Sequence, residues 1–521
     1  MQTNLPLNTI AIVGNGLHAW TIAACLARKL QKAPTDIVVI TDPNAVPDSI
    51  GESTLPAINY FHRILGLNER QLVAVTKGTY KLATEYTPID TAYQNDKHLA
   101  RNSFFHAMSP YGAAFDNIAF QHHVTKAHLA GVAIDLNRFS LPAMAAQQGK
   151  FGIPSCDELD VPFSYALHVD TKRYAAGMQD FAYKLGVKHV EGSITATQLS
   201  YPNIEEDTSQ FIQSITINKN QTFSADLFID CSADGRLIHQ ALGINYQHFD
   251  TLLPCDHSVQ FSTQRPHDPR ATTQIKPHSA GYWRSFPLQD RGVCEYHYSG
   301  DYLTHEKVLG ILNLGKEESK SATHQQHKPR QINTFWSANC VAMGSAAGEL
   351  GRNAVSNFHL VQSAVLRLVD LLPDNTLNRN AECPSRDEYN HLCEEEYARI
   401  LDYHCAYFAL LAKHDSLSNL PFWQQQQSTE WPDSLTHKMT LFKHTGRLPF
   451  YERETFSEKT WLSLFLGLGL WPMQYDRLLD VGQRSINDSL VACEKFGASI
   501  QRMCSDMPSH YMFLQRYCGA K

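Results

Sequence analysis

Three stretches of small residues stand at the ends of apolar runs, and each suits a backbone that must come close to a ligand. The first is Gly14-Asn15-Gly16-Leu17-His18-Ala19, a G-x-G-x-x-A pattern between the β-branched run 8–13 and a helical pattern over 19–30. Gly14 permits the tight turn, Gly16 leaves no side chain between backbone and pyrophosphate, and Ala19 is small enough for close helix–strand packing. A pyrophosphate would sit on the positive end of the following helix. Gly14, Asn15, Gly16, Leu17 and Ala19 are therefore expected at a dinucleotide. Asp42 stands just past the second apolar run, 37–40. It is either the acid that binds the ribose or a turn cap, and both readings stay open. The second stretch is the buried run 225–231 ending in Ser232-Ala233-Asp234-Gly235. The third is the run 339–343 ending in Gly344-Ser345-Ala346-Ala347-Gly348. A nicotinamide enzyme normally needs only the first such turn, so three in this order favour FAD.

The elements that must carry these turns read as follows. Residues 8–40 are a β-turn-α-β unit of about 30 residues, the size of a nucleotide-binding module. Strand patterns recur at 77–87, 166–170, 187–195 and 211–218, with a helix over 171–186. Residues 281–298 alternate aromatic and polar side chains, as an antiparallel sheet does. The polar stretch 316–331 reads as an exposed loop, 424–427 as another, and a long helix is expected from about 353 to 372. Residues 373–387, rich in Pro, Asn and charge, read as a linker, and 388–413 and the chain beyond 457 look helical. The expected fold is α/β: a glutathione-reductase-like FAD/NAD(P)-binding Rossmann module with a mixed substrate sheet (1–372) and a mainly helical C-terminal region capping the substrate (373–521).

Composition excludes several classes. With net charge −7 and no basic face, nucleic acid is a poor partner. No run approaches the 18 apolar residues of a membrane span, so no membrane association is expected. The 12 cysteines are scattered with no C-x-x-C pair, which reads as reduced thiols in the cytoplasm. His122, His123 and His128 lack partners at a familiar metal-ligand spacing, so no metal site is expected. No G-x-S-x-G signature is present.

Taken together, these motifs resemble the flavin-dependent tryptophan halogenases. Residues 14–20 resemble that family's G-x-G-x-x-G-W opening, with Ala19 for the last Gly. Gly51-Glu52-Ser53-Thr54-Leu55-Pro56 resembles its GEATxP segment, and Gly78-Thr79-Tyr80-Lys81-Leu82 its T-F-K-L/F segment. Residues 165–170, the 225–232 strand, residues 335–348, Tyr403-His404 and Gly467-Leu468-Gly469 match in order. The resemblance covers nearly the whole chain. It implies an enzyme that uses reduced FAD from a separate flavin reductase, oxygen and a halide ion to make hypohalous acid, which halogenates an electron-rich aromatic of indole or phenol type. By position Lys81 is the family lysine that hydrogen-bonds this oxidant or captures it as a haloamine. Ile194, Gly344, Ser345 and Phe358 complete the residues expected at the cofactor, and His106 is a candidate for the substrate pocket. A homodimer is left open.

Two departures bear on the chemistry. The family's G-F-x-E-P-L-E-S-T segment is here Gly348-Glu349-Leu350-Gly351-Arg352-Asn353-Ala354-Val355-Ser356. The Glu that assists the lysine falls on Ala354, and the Ser whose backbone helps hold halide falls on Val355. Glu349, on a continuous helix, would face elsewhere. The family's W-x-W-x-I-P is here Tyr282-Trp283-Arg284-Ser285-Phe286-Pro287. These changes would loosen the wall between flavin and substrate, and Arg284 is a candidate to meet an anion. A flavin monooxygenase or hydroxylase, and a flavin-binding protein with impaired halogenation, are the alternatives.

Overall fold

The architecture is that of a computed structural model, which describes residues 5–45, 49–87, 103–115, 117–154, 162–200, 210–372, 376–377, 383–449, 451, 454–483 and 486–519. Its first layer is a six-stranded sheet in the order Trp336–Ser337, Cys340–Ala342, Leu227–Asp230, Thr9–Val13, Asp36–Thr41, Lys188–Glu191. All neighbours are parallel except the Trp336–Ser337 edge. The inner strands are short apolar runs buried on both faces, as a parallel sheet covered by helices requires. Helix Gly16–Lys29 packs between helices Thr171–Lys184 and Asn357–Leu371. Its Ala19, Ala23, Ala24 and Ala27 are buried, and side chains this small let the helices and the sheet approach closely.

Register explains why the three small-residue turns meet. Asp230 pairs with Val13 on one side and Ala342 on the other, so the three strands end level. The turns that follow, at Gly14, Cys231 and Gly344, therefore open at the same carboxyl edge, where α/β sheets bind their ligands.

The second layer is a seven-stranded mixed sheet in the order Thr323–Gln326, His257–Thr263, Gly292–Tyr298, Gly281–Pro287, Thr272–His278, Ala83–Tyr86, Phe104–Ala107. Alternation sorts its two faces. Cross-strand partners Arg284 and Glu295, and Tyr282 and His297, share one face. Ile275, Tyr86 and Phe104 continue the first row, and Phe286, Thr273, Thr84 and His106 form the next. Trp283 and Tyr296 point the other way into a separate apolar cluster. The 28-residue helix Pro384–Leu411 covers the first face, with Tyr407 and Phe408 against Tyr282 and Tyr403 against His106. Helix Glu458–Gly467 packs on the Phe104–Ala107 strand.

Several local expectations need correction. Residues 316–331 are not a loop: helix Lys316–Ser321 leads into the edge strand Thr323–Gln326, paired with His257–Thr263. Backbone pairing with an open edge outweighs the polar composition. Residues 424–427 lie in helix Pro421–Gln427, which Trp423 and Phe422 bury against Phe408. The long helix begins at Asn357, not 353. Gly348–Glu349 is a short strand paired with Arg330–Ile332, and Gly351, at φ +95°, breaks the chain direction before the helix. Of the expected linker 373–387, residues 373–375 and 378–382 lie outside the described residues, Thr376–Leu377 pairs with Leu5–Pro6, and the chain from Pro384 is already helix.

Candidate active site

At the shared carboxyl edge lies a cleft of about 660 Å³, within the range of cofactor sites. Gly14, Asn15, Leu17, Asp42, Ile194 and Ser345 line it. Gly14 adopts φ +152°, and a Cβ there would stand 2.4 Å from Cys231 Sγ, so only glycine fits. Asn15 is the N-cap of helix Gly16–Lys29 but spends its side chain elsewhere. Its Nδ2 donates to the Asp42 carbonyl oxygen (2.8 Å) and its Oδ1 accepts from Asp42 N (3.0 Å). The helix thus starts with no side-chain cap and no acidic residue in its first turn. Its amide N–H groups and dipole are left for an anion. The residues present fit FAD: a glycine turn that excludes side chains, an uncapped helix start for the pyrophosphate, and a cleft of sufficient volume.

The remaining expected cofactor residues are distributed as follows. Asp42 accepts from Asn44 N (2.9 Å) and Ser193 Oγ (2.8 Å), both at Oδ1, so it caps its turn while facing the cleft. Hydrogen bonds from Asn44 and Ser193, with Arg236 nearby, hold its carboxyl below the usual value against the opposing effect of burial. Gly16, at φ +59°, starts the helix, and Gly344, at φ +58°, lies so close to His18 that a Cβ would come within 2.7 Å of its ring. Ala19 and Phe358 are buried behind the cleft, Phe358 edge-on to Tyr174, while its neighbour Asn357 lines the cleft. The acid of the second turn that lines the cleft is Asp234. Asp230 is buried and occupied by Ser232, Leu237 and Ile238, whose amides it accepts at 2.7–3.0 Å.

The inner wall of the cleft carries charges that motif reading did not bring together. Arg352 Nη2 donates to Glu52 Oε1 (2.6 Å), and its Nε stands 3.5 Å from Glu295 Oε2. Arg284 Nη1 donates to the same Glu295 oxygen at 2.7 Å, with His297 Nε2 3.0 Å away. Glu349 pairs with His327 Nδ1 (2.8 Å) beside Arg352. Although burial opposes ionisation, Arg284 and Arg352 hold the Glu295 carboxyl well below the usual range. Glu349 is therefore in the cleft wall and not on a remote helix face. The anion that Arg284 meets is Glu295. The signal in the sequence was register: a hairpin over 281–298 sets 284 opposite 295.

The wall is also not loosened at Tyr282. That ring is buried, stacked on His297 (centroids 4.7 Å apart) and closed by Tyr407 and Phe408.

Beyond this wall stands Lys81, at the end of strand Thr79–Lys81, 1% exposed. Its Nζ donates to the Thr54 carbonyl oxygen at 3.2 Å. Burial, with a contribution from Arg284, lowers its pKa from 10.5 to about 7. Thr54 belongs to the segment that also carries Glu52, so one short stretch touches both the cleft and the lysine. Beside Lys81, His168 is bonded by Thr79 and Thr273 (both 2.9 Å) and stacked on Phe286. His106 Nε2 is bonded to Tyr403 Oη (2.8 Å) and the Thr460 carbonyl (3.3 Å). Burial lowers the His106 pKa to about 4, so the ring is neutral. Tyr86, Phe104 and Tyr403 pack around it, backed by Tyr407 on Tyr86 and by Phe456 and Trp461 on Tyr403, as one aromatic cluster. Asn353, bonded to His404 through both side-chain atoms, ties the segment holding Ala354 and Val355 to helix Pro384–Leu411. Among the described residues no group of three or more His, Cys, Asp or Glu side chains could hold a metal ion.

A dinucleotide cleft with a charged inner wall and a buried lysine nearby are the parts of a flavin-dependent oxidoreductase. Residues 9–484 match the tryptophan halogenase family model, and the chain belongs to that family. It is 24% identical to the tryptophan 6-halogenase ThaL of Streptomyces albogriseolus, over 99% of both chains. It is 23% identical to the tryptophan 7-halogenase RebH of Lentzea aerocolonigenes, over 98% of this chain and 99% of that one. Among solved structures, Xcc4156, a flavin-dependent halogenase from Xanthomonas campestris, superposes with TM-score 0.88 at 27% identity over 99% of both chains. BrvH, a flavin-dependent halogenase from Brevundimonas sp. BAL3, superposes with TM-score 0.87 at 26% identity, over 98% of this chain and 99% of that one.

Proposed function

We propose that this protein halogenates an electron-rich aromatic of indole or phenol type, with Lys81 delivering the halogen. The observation that carries this reading is Lys81 itself, buried, with its Nζ on the Thr54 carbonyl of the segment whose Glu52 lines the cofactor cleft. When bound, FADH₂ supplies with oxygen the oxidising equivalents that convert chloride or bromide to hypohalous acid. Gly14, Asn15, Gly16 and Leu17 would hold its pyrophosphate, and Asp42, Ile194, Gly344 and Ser345 would complete the cofactor site. Ala19 and Phe358 support the cleft from behind. The backbone at Ala354 and Val355 offers the halide its amides, which do not depend on side-chain identity. Lys81 meets the oxidant, and the Tyr282 and Phe286 rings keep bulk water and the aromatic substrate from the cofactor. His106, neutral and fixed by Tyr403 and Thr460, orients the substrate.

Residues 1–372 carry the cofactor, and helices of 373–521 cap the substrate, a reading supported by Tyr403 against His106 with Phe456 and Trp461 packed on Tyr403. Every residue named lies in one chain, so one copy is complete alone or within a homodimer. A separate flavin reductase supplies FADH₂. The described cysteines are free thiols, which supports a cytoplasmic setting. No described helix is long and apolar enough to cross a membrane.

The test is incubation with a flavin reductase, NADH, FAD, bromide and a panel of indoles and phenols. Brominated product is expected. Oxygenated product that forms without bromide would establish the monooxygenase reading in its place.

A further inference from the structure

The strand that carries Lys81 is three residues long and forms the edge of its sheet, which runs in the order Glu52–Ser53, Ala166–Val169, Thr79–Lys81. In antiparallel pairing a residue turns its N–H and C=O to the same side, and the sides alternate along the strand. Tyr80 stands opposite Leu167, and Leu167 turns both backbone groups to Thr54. Its N–H donates to Thr54 Oγ1 (2.9 Å), and its carbonyl oxygen accepts from Thr54 N (2.9 Å). The Tyr80 N–H therefore faces away from the sheet, in the interior, where an unpaired amide is costly.

A side chain 430 residues away takes that amide: Tyr80 N donates to His510 Nε2 at 3.2 Å. His510 Nδ1 is 2.8 Å from the Pro269 carbonyl oxygen. An amide N–H can only donate and a carbonyl oxygen only accept, so Nε2 is bare and Nδ1 carries the proton. The two partners thus fix one neutral tautomer, and burial favours the same neutral form. Two residues on from Tyr80, Leu82 N donates to Ala271 O at 2.8 Å. The segment 269–271 therefore holds the outer edge of the Lys81 strand twice, directly at Leu82 and through His510 at Tyr80.

His510 is the first residue of helix His510–Cys518 and is 0% exposed. Its own N–H donates to Gly149 O at 2.9 Å, and its ring packs on Phe151 with centroids 5.6 Å apart. At the other end of the helix, Cys518 Sγ meets the Tyr80 hydroxyl at 3.8 Å. Side chains alternate along a strand, so Tyr80 turns its ring to this helix while Lys81 turns Nζ the other way, to Thr54 O.

We propose that His510 is a positioning residue for Lys81: through the Tyr80 N–H it fixes the free edge of the strand, and so sets where Nζ stands relative to the Thr54 carbonyl oxygen and to the oxidant that Lys81 receives. This rests on the halogenase reading of Lys81.

Three substitutions separate this role from packing. His510→Gln brings a side-chain carbonyl oxygen within reach of the Tyr80 N–H. His510→Asn keeps a donor for Pro269 but ends one bond short of Tyr80. His510→Leu suits the aromatic surroundings and has neither group. As a control, Tyr517→Ala loosens the same helix where it meets Arg70, away from the strand. Each full-length protein is assayed with flavin reductase, NADH, FAD and bromide for brominated product per FADH₂ oxidised, over the panel of indoles and phenols. Hydrogen exchange is followed in the peptide that contains Tyr80 and Lys81.

The product yield is expected to fall roughly tenfold to a hundredfold in the Asn and Leu variants, as a small displacement of a reacting group implies. Flavin affinity and FADH₂ oxidation stay unchanged. The Tyr80 peptide exchanges about five- to tenfold faster in both, the effect of one lost hydrogen bond. The Gln variant and Tyr517→Ala stay close to wild type in yield and exchange. The proposal is overturned if Leu, the better packed residue, outperforms Gln, if Asn and Gln behave alike, or if Tyr517→Ala lowers the yield as His510→Asn does. Should the Leu variant fail to fold, the contrast of Asn with Gln decides. If wild type binds flavin yet forms no brominated product, the halogenase reading fails, and exchange at Tyr80 alone decides whether His510 holds the strand.

Discussion

At the scale of single residues, the molecule places costly charges where chemistry needs them. Lys81 in the folded chain loses its proton near pH 7, whereas in the unfolded chain it keeps it to 10.5. The unfolded state therefore binds more protons between these values, and Lys81 makes stability rise with pH across that window. Lys81→Met should remove this slope and stabilise the protein at neutral pH by roughly 1–3 kcal/mol, since it removes a group that must give up its proton to be buried. Urea unfolding at pH 7 and pH 9 measures both effects, and an unchanged slope would remove Lys81 from the account. Arg352 is the opposite case. Arg352→Leu leaves Glu52 without its partner and weakens the hold on Glu295, so a loss of about 3–5 kcal/mol is expected in the same assay.

At the scale of elements, what the chain made legible were the local patterns. The strand and turn at 9–16 and the small-residue turns after 231 and 343 follow from β-branched runs ended by glycine and other small residues, and together they line one cleft. Lys81 was found by its segment, Gly78-Thr79-Tyr80-Lys81-Leu82. What was not legible depended on partners distant in sequence. Glu295 became significant only as the cross-strand neighbour of Arg284. Glu52 and Arg352 are 300 residues apart. The strand at Thr323–Gln326 exists because an edge was open to it, whatever its composition. The helix expected from about 353 begins only at Asn357, and Gly348 at φ +153° and Gly351 at +95° mark the segment before it as irregular. Gly14 gives a prediction at this scale. Gly14→Ala forces its methyl onto Cys231, at a cost of about 1–3 kcal/mol, and displaces the turn over which the pyrophosphate sits. Flavin affinity, followed by fluorescence titration, should fall at least tenfold, and an unchanged affinity would place the cofactor elsewhere.

At the scale of the whole molecule, Lys81 stands in a small third sheet, its strand paired antiparallel with Ala166–Val169. The parallel sheet carries the cleft at its carboxyl edge, and one face of the mixed sheet carries the Arg284–Glu295 pair and the aromatic rings around His106. Helices from the far end of the sequence close that face. Gly467, at the end of helix Glu458–Gly467, shows how tightly: an added Cβ would stand 2.3 Å from the Phe104 ring. Gly467→Ala should therefore displace Phe104 and raise KM for the aromatic substrate several-fold while leaving flavin affinity unchanged. Steady-state kinetics with a saturating flavin supply separates the two, and equal loss of both would mean the layers are not independent.

The central claim is that Lys81 passes the halogen from one layer to the other. It is tested most directly by quantifying bromoindole formed per FADH₂ oxidised, in wild type and in Lys81→Ala, with bromide saturating. The account predicts that the variant still binds and oxidises FADH₂ while bromoindole falls by at least a hundredfold. Bromoindole formed at the wild-type yield by Lys81→Ala would contradict it.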